Sequence, residues 1–355
     1  MNTTQEKYPP NQKTTLSTAG AFIYAAAAVI LCALCSSFLK NTAEEAVLSL
    51  LSPLFMFAAG SFMAVLASHK KNALFYASAV LGVALSFALT LDILRSLVCL
   101  GAFFAAFFIA RASERACITQ TGAILAVIVI YSAFILFGFG VLCYQKYSAI
   151  NLDTLGRAYD SFCNVLLRAP ESVLSQMKEL YATDPAYASL ITDYEKTVGL
   201  LRQALPMTAY FIPSAFLYIC STGAFITVFL VLKHRRMQGL ENHLGAFSVS
   251  IVTAVVYLII TVVSIFADPI SPLGVTLSTV SAVPSLALAL IGAAYMRQRI
   301  LTSPKKRTFI ILSVLVLIFM TGAVLSVLSL IGAYKSIQLY LFQRLKDKFD
   351  QNNLH

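Results

Sequence analysis

The chain has 355 residues, of which 59% are apolar and 12% charged, against roughly 25% charged residues in an ordinary soluble domain. That balance excludes a typical soluble enzyme. The 26 Lys and Arg against 16 Asp and Glu give a net charge of +10, but the basic residues sit in short clusters beside apolar runs, at His69-Lys70-Lys71, Arg111 with Arg115, Lys233-His234-Arg235-Arg236 and Arg297 to Arg307. Cytoplasmic membrane loops have this pattern, and no nucleic-acid partner is expected.

Taken in order, residues 1–18 are polar, with Pro9-Pro10 among Thr and Asn, and read as a flexible cytoplasmic tail. Nine apolar runs follow, at 19–39, 46–67, 73–91, 96–110, 117–144, 207–232, 245–267, 273–296 and 308–334. A helix needs about 18 such residues or more to cross about 30 Å of hydrocarbon. The first run has no convincing small-residue cleavage site and reads as a retained span rather than a signal peptide. Only Asp92-Ile93-Leu94-Arg95 separates the third run from the fourth, so that pair is a tight hairpin or a re-entrant element.

The expected fold is all-α, a polytopic bundle of eight or nine transmembrane helices. It divides into an N-terminal membrane bundle at 19–144, an extracytoplasmic amphipathic helical insert at 145–206, a C-terminal membrane bundle at 207–334 and a basic amphipathic tail at 335–355. With the N-terminus in the cytoplasm, nine crossings put fourteen Lys and Arg in cytoplasmic segments and two, Lys40 and Arg95, in short outer loops. That asymmetry satisfies the positive-inside rule and implies a multi-pass protein of the cell membrane. The same count leaves Lys335, Arg344, Lys346 and Lys348 outside, where a basic tail is out of place; a change of one helix would move them.

The insert carries six basic and seven acidic side chains. Pro170-Glu171 predicts a helix start, after which Val173, Leu174, Met177, Leu180 and Tyr181 share a face. After Asp184-Pro185, a second helix aligns Tyr187, Leu190, Tyr194, Val198 and Leu201. Two such amphipathic stripes predict a cap over the outer ends of the spans or a lid over a ligand cavity.

The spans hold no ionisable group near their centres; Asp92, Arg95, Arg111 and Asp268 fall at ends or junctions, which disfavours a charge-driven transporter. A His-Glu-x-x-His zinc motif, paired aspartates within spans and a phosphate-cradling glycine loop are all missing from the sequence, so no enzymatic activity is expected. Of seven cysteines, Cys32, Cys35, Cys99, Cys143 and Cys220 lie in or at the ends of apolar runs. They form neither an even framework nor a Cys/His ligand spacing, so no disulfide, metal or other cofactor is expected.

Two patterns point to binding. Ala21, Ala25, Ala28, Cys32 and Cys35 recur at intervals of four and three, a small-residue stripe against which another helix can pack, in this chain or in a partner. Pro53, Pro213 and Pro284 free backbone carbonyls within or near the ends of runs. Pro284 lies among Ser278, Thr279, Ser281 and Ser285, while Thr253 and Tyr257 sit one turn apart. Thr253, Tyr257, Ser278, Ser281, Pro284 and Ser285 are therefore the candidates for binding an uncharged small molecule through hydroxyls. The competing reading is that the hydroxyls bond their own helix.

Several stretches also occur in a set order: the Ala-rich start of the first run, Ser52-Pro53-Leu54-Phe55, Gly101-Ala102-Phe103 running into Ala110-Arg111, a long polar insert before Pro213, and a run ending in Lys233-His234-Arg235-Arg236. Leu330-Ile331-Gly332-Ala333-Tyr334 then leads into a tail with Phe342 and Arg344. Together they resemble the YybS-like family of predicted bacterial membrane proteins. The resemblance implies an N-terminal half similar to the substrate-binding S components of energy-coupling-factor transporters, in which an Ala-rich face of the first helix docks a membrane coupling subunit. Ala21, Ala25 and Ala28 are compatible with that role, while the insert and the extra helices depart from a simple S component. The leading expectation is a small-molecule-binding or transport-related membrane protein without its own ATPase. The alternative is a structural or regulatory scaffold for other envelope proteins, and a closed cavity with a polar lining would favour the first, since a scaffold packs its spans solidly.

Overall fold

A computed structural model of the chain describes residues 16–39, 49, 51–114, 118–181, 187–237, 247–302 and 321–352, and every regular element among them is helical. Seven helical stretches among the described residues are long and apolar enough to cross a bilayer, and two shorter apolar helices, Ser52–Ser68 and Ile251–Phe266, join them. Large apolar side chains such as Ile23, Val80, Val129 and Val252 stand exposed along these helices, as lipid-facing residues do. The chain has the makings of a multi-pass helical membrane protein. The described residues fall into two compact units, one within Met1–Ile118, Ala123–Tyr210 and Gly223–Leu244, the other within Thr119–Gly122, Phe211–Thr222 and Gly245–His355.

In the first unit, α1 (Thr18–Ser37) starts where the Ser17 hydroxyl accepts the Gly20 N–H at 3.0 Å, satisfying one of the free donors of a helix N-terminus. The chain continues through α2 (Ser52–Ser68), opened by Pro53, and α3 (Asn72–Thr90). Leu91, at φ 53°, closes α3 in the left-handed conformation, and the Asp92 carboxylate then caps α4 (Ile93–Leu97) by accepting the Leu94 and Arg95 N–H groups at 2.9 and 3.3 Å. The junction of the third and fourth runs is therefore a tight turn, with α5 (Leu100–Glu114) following. Next come α6 (Gln120–Tyr147) and, beyond the insert, α9 (Ile212–Met237), whose residues from Gly223 on belong to this unit. The boundary between the two units thus falls within α9.

Two ends of this unit can be told apart by their contacts. At one, the Leu16 N–H donates to His69 after α2, and Ala112 of α5 packs near Ala123 of α6 and Leu232 of α9. At the other, Arg95 donates to the Leu39 carbonyl at 3.1 Å and to Gln145 at the close of α6. The helices alternate between these ends, as successive crossings require.

The insert is a helical hairpin of α7 (Leu152–Tyr181) and α8 (Ala188–Met207). Pro170 lies inside α7 rather than at a helix start, so the boundary expected there is corrected: a continuous helix of 30 residues runs through it. The pair is tied by Lys178 to Glu195 at 2.8 Å, by Arg202 to Glu171, by Tyr181 against Tyr187 and by the Tyr159 hydroxyl donating to the Leu205 carbonyl at 2.6 Å. Each helix packs chiefly on the other. Leu180 and Leu190 stay 72% and 54% exposed, where a cap resting on the spans would have covered them.

The second unit contains α10 (Ile251–Phe266), α11 (Pro272–Thr302) and α12 (Thr321–Asn352). Asp268 makes the turn between the first two: its carboxylate accepts the Ile270 N–H at 3.0 Å and its carbonyl accepts the Ser271 hydroxyl at 2.6 Å. The next pairing departs from expectation. Ser329 faces Ser285, Gly332 faces Leu288 and Gly292, and the Lys335 ammonium stands 4.9 Å from the Tyr295 ring centre. Residue numbers rise together along both helices, so α11 and α12 run parallel.

Parallel neighbours cannot follow one another across a single turn. Thr302 and Thr321 lie about 30 Å apart along the pair at 1.5 Å per residue. Lys335 therefore lies at the same end as Arg297 and Arg299, and α12 continues from there without a break at Gly332-Ala333-Tyr334. The helix therefore continues through the residues expected as a separate tail, and of the run expected over 308–334 it takes in residues 321–334. Of that run, residues 308–320 lie outside the described residues, as does most of the expected N-terminal tail.

Candidate functional site

The six candidate ligand residues all belong to the second unit. Each Ser and Thr hydroxyl near Pro284 finds a carbonyl on its own helix: Ser278 and Thr279 donate to Val275, Ser281 to Ser278 and Ser285 to Ala282, at 2.7 to 3.0 Å. Thr253 pairs with Ser250, the N-cap of α10, at 2.8 Å. Tyr257 is buried with Ala254, Leu288 and Ala333. Ser285 alone gathers further groups. With its proton on Ala282 it accepts the Tyr218 hydroxyl at 2.5 Å, while its carbonyl accepts the Ser329 hydroxyl at 2.7 Å. The polar cluster here is thus Tyr218, Ser285 and Ser329, two of which sequence spacing did not single out.

The small-residue stripe of α1 is covered. Ala21, Ala25, Ala28 and Cys32 are buried inside the first unit. The Ser86 hydroxyl of α3 donates to the Cys32 carbonyl at 3.1 Å, and a Cβ on Gly82 would lie 3.0 Å from that of Cys32. Ser52 of α2 donates to the Cys35 carbonyl at 2.8 Å. Small side chains let α2 and α3 approach α1 closely, and this use of the face leaves it unavailable to a partner helix.

A second polar centre lies in the interior of the first unit. Thr227 donates to the Gly223 carbonyl at 2.8 Å and faces Tyr131 at 2.9 Å and Ser61 at 3.1 Å. With its own proton committed, Thr227 is the acceptor for both neighbours. Tyr131 and Thr227 are fully buried. Glycines make the room: a Cβ on Gly60 would collide with the Tyr131 hydroxyl, and one on Gly223 would press 2.5 Å from the Phe57 ring. The sequence signal was available, since Tyr131 is the sole Tyr in the interior of its run, but nothing in the spacing paired it with residues 70 and 96 positions away. Nearby, Cys35, Leu39, Ser49, Ser52, Met56 and Gly138 help line a cavity of about 10 Å³, the room of one water molecule.

At the end of the unit where α2 and α9 finish, the apolar run of α9 stops at Leu232 and a histidine pair follows. The Leu16 N–H donates to His69 Nδ1 at 3.3 Å, so that nitrogen is unprotonated, and His69 Nε2 faces His234 Nδ1 at 3.5 Å. Burial, then His234 and Lys71, push His69 below its ordinary 6.5; burial, then Lys233, pushes His234 the same way. A depressed base binds fewer protons folded than unfolded, so stability falls as pH drops through 6.5 toward the lowered folded values and levels below them. Melting the detergent-solubilised chain between about pH 8 and pH 5 will show this slope, and the H69Q/H234Q variant will flatten it.

At the opposite end, Asp92 and Arg95 pair at 3.0 Å with both side chains less than a fifth exposed. Gln145 joins them, accepting from Arg95 at 3.0 and 2.6 Å and donating to Asp92. The group anchors the ends of α1, α4 and α6 to one another. Among the described residues, no three His, Cys, Asp or Glu side chains converge as metal ligands would. No protein-family model matches the sequence, and neither a curated protein nor a solved structure matches it.

Proposed function

We propose that this chain is a multi-pass protein of the cell membrane that serves as a structural or regulatory scaffold, presenting the α7–α8 hairpin to other envelope proteins. The hairpin carries the reading: its helices hold each other by their own ion pairs and still leave Leu180 and Leu190 in the open, where large apolar groups mark an interaction surface. Both termini lie in the cytoplasm and the hairpin outside. Support for this orientation comes from the basic segments, since a tail on the side of Arg297 and Arg299 joins the excess of Lys and Arg that the positive-inside rule assigns to the cytoplasm. Membrane-impermeant maleimide will label R344C only from the cytoplasmic face; labelling from outside overturns the orientation.

A second reading, a small-molecule-binding or transport-related protein without its own ATPase, draws support from Tyr218 and Ser285 beside Pro284 and from the resemblance to YybS-like proteins. Native mass spectrometry of the chain extracted gently from its own membrane separates the two. Co-purifying envelope proteins that are lost in L180D/L190D support the scaffold. A retained uncharged metabolite, with no such proteins, supports the second reading.

A further inference from the structure

We propose that the basic end of the first unit is a binding site for the phosphate headgroup of an anionic phospholipid. Two clusters 165 residues apart in sequence meet there through His69 and His234. The contact sets Lys70 and Lys71, in the turn after α2, beside Lys233, Arg235 and Arg236 at the close of α9. Arg111 is linked to the same place: it lies 3.9 Å from Glu114, and Glu114 faces Arg235. Among the described residues, Glu114 is the carboxylate shown against this group of six cations. Between residues 46 and 147 the only other acid is Asp92, which sits at the far end with Arg95. Lys70, Lys233, Arg236 and Arg111 are exposed.

What selects a phospholipid over a soluble anion is the surface that adjoins these charges. About one turn into the bilayer-crossing helices from this end stand Phe22 and Ile23 of α1 and Tyr76 of α3, and two turns before Lys233 stands Ile226 of α9, all exposed. A phosphate held by the cations leaves its acyl chains against these apolar faces. Clustered Lys and Arg beside spanning helices attract anionic headgroups with an energy that grows with each charge. The inference needs only that the chain resides in a bilayer, and stands whether or not the hairpin binds proteins.

The test uses the full chain in detergent, titrated separately with phosphatidylglycerol and phosphatidylcholine and read by native mass spectrometry. Phosphatidylglycerol will be retained in preference by about tenfold or more, and K70Q/K71Q/K233Q/R236Q will lose that preference. The charge-conserving K70R/K71R/K233R and the hairpin variant K178Q/K196Q will keep it. Equal retention of the two lipids, persistence of the preference in the Gln variant, or its loss in either control would overturn the site. Displacement of phosphatidylglycerol by millimolar inorganic phosphate would overturn it in favour of a soluble anion. Lipid adducts are read independently of co-purifying proteins, so this result and that for the scaffold are separate.

Discussion

Replacing Gly332 by Ala will destabilise the second unit by about 2–3 kcal/mol, and Gly292→Ala will act alike. Where α11 and α12 cross, a Cβ on Gly332 would run into the Leu288 carbonyl oxygen and one on Gly292 into the Leu328 carbonyl oxygen. A flexible side chain can turn aside from an added methyl, but a helix backbone cannot. The axes must separate, which stretches the 2.7 Å bond from the Ser329 hydroxyl to the Ser285 carbonyl and lifts Lys335 from the Tyr295 ring. Without a hydrophobic force between helices in lipid, such close contact is what holds the pair. Both glycines occupy one crossing, so the double variant will cost less than the sum of the two.

The contrast lies in α7 and α8. A Cβ on Gly156 or Gly199 meets nothing within 4 Å, so Ala there will raise stability by up to about 1 kcal/mol through helix propensity alone. Thermal unfolding of the four single variants in one detergent checks the opposite signs. If Gly332→Ala and Gly199→Ala move the midpoint in the same direction, the parallel crossing is wrong.

That crossing also shows where sequence reading reached its limit. Run length and charge disclosed the helical class and the long apolar helices, because crossing hydrocarbon requires a long uncharged stretch. Ser17, Asp92 and Ser250 cap helices in the structure, starts that the bounds of the apolar runs did not pick out. Pro284 in its serine-rich surroundings was legible as polar, and Ser278, Ser281 and Ser285 follow the competing reading, each turning to a carbonyl of its own helix. The direction of α12 was hidden, since an apolar run states that a helix crosses and not which neighbour it meets. Gly292 and Gly332 carry that information only as a pair. The same holds for Pro170, which signals a helix start when read locally yet sits within a helix 30 residues long. His69 and His234 were visible as loop residues, and their meeting followed only from the packing of α2 and α9.

Thr227→Val will cost the first unit about 1–2 kcal/mol, and the loss will arise mainly at a different residue, Tyr131. Valine keeps the shape of threonine and removes the oxygen that accepts from both Tyr131 and Ser61. Ser61 has a way out, since a serine hydroxyl can swing to a carbonyl one turn back on its own helix. The phenol of Tyr131 is rigid and fully buried, so its proton stays unpaired in an apolar interior, which costs more than the original bond contributed. Thr227→Ser restores the oxygen and will stay near the parent. Tyr131→Phe removes the stranded donor, so T227V/Y131F will be less destabilised than Thr227→Val alone. The same substitution empties the space over Gly60, where an added Cβ would strike the Tyr131 hydroxyl, so Gly60→Ala will be harmful in the parent and tolerated beside Tyr131→Phe. Unfolding free energies of these variants, taken as double-mutant cycles, isolate the coupling. Additive losses for Thr227 and Tyr131 would mean that the three helices are held by packing alone.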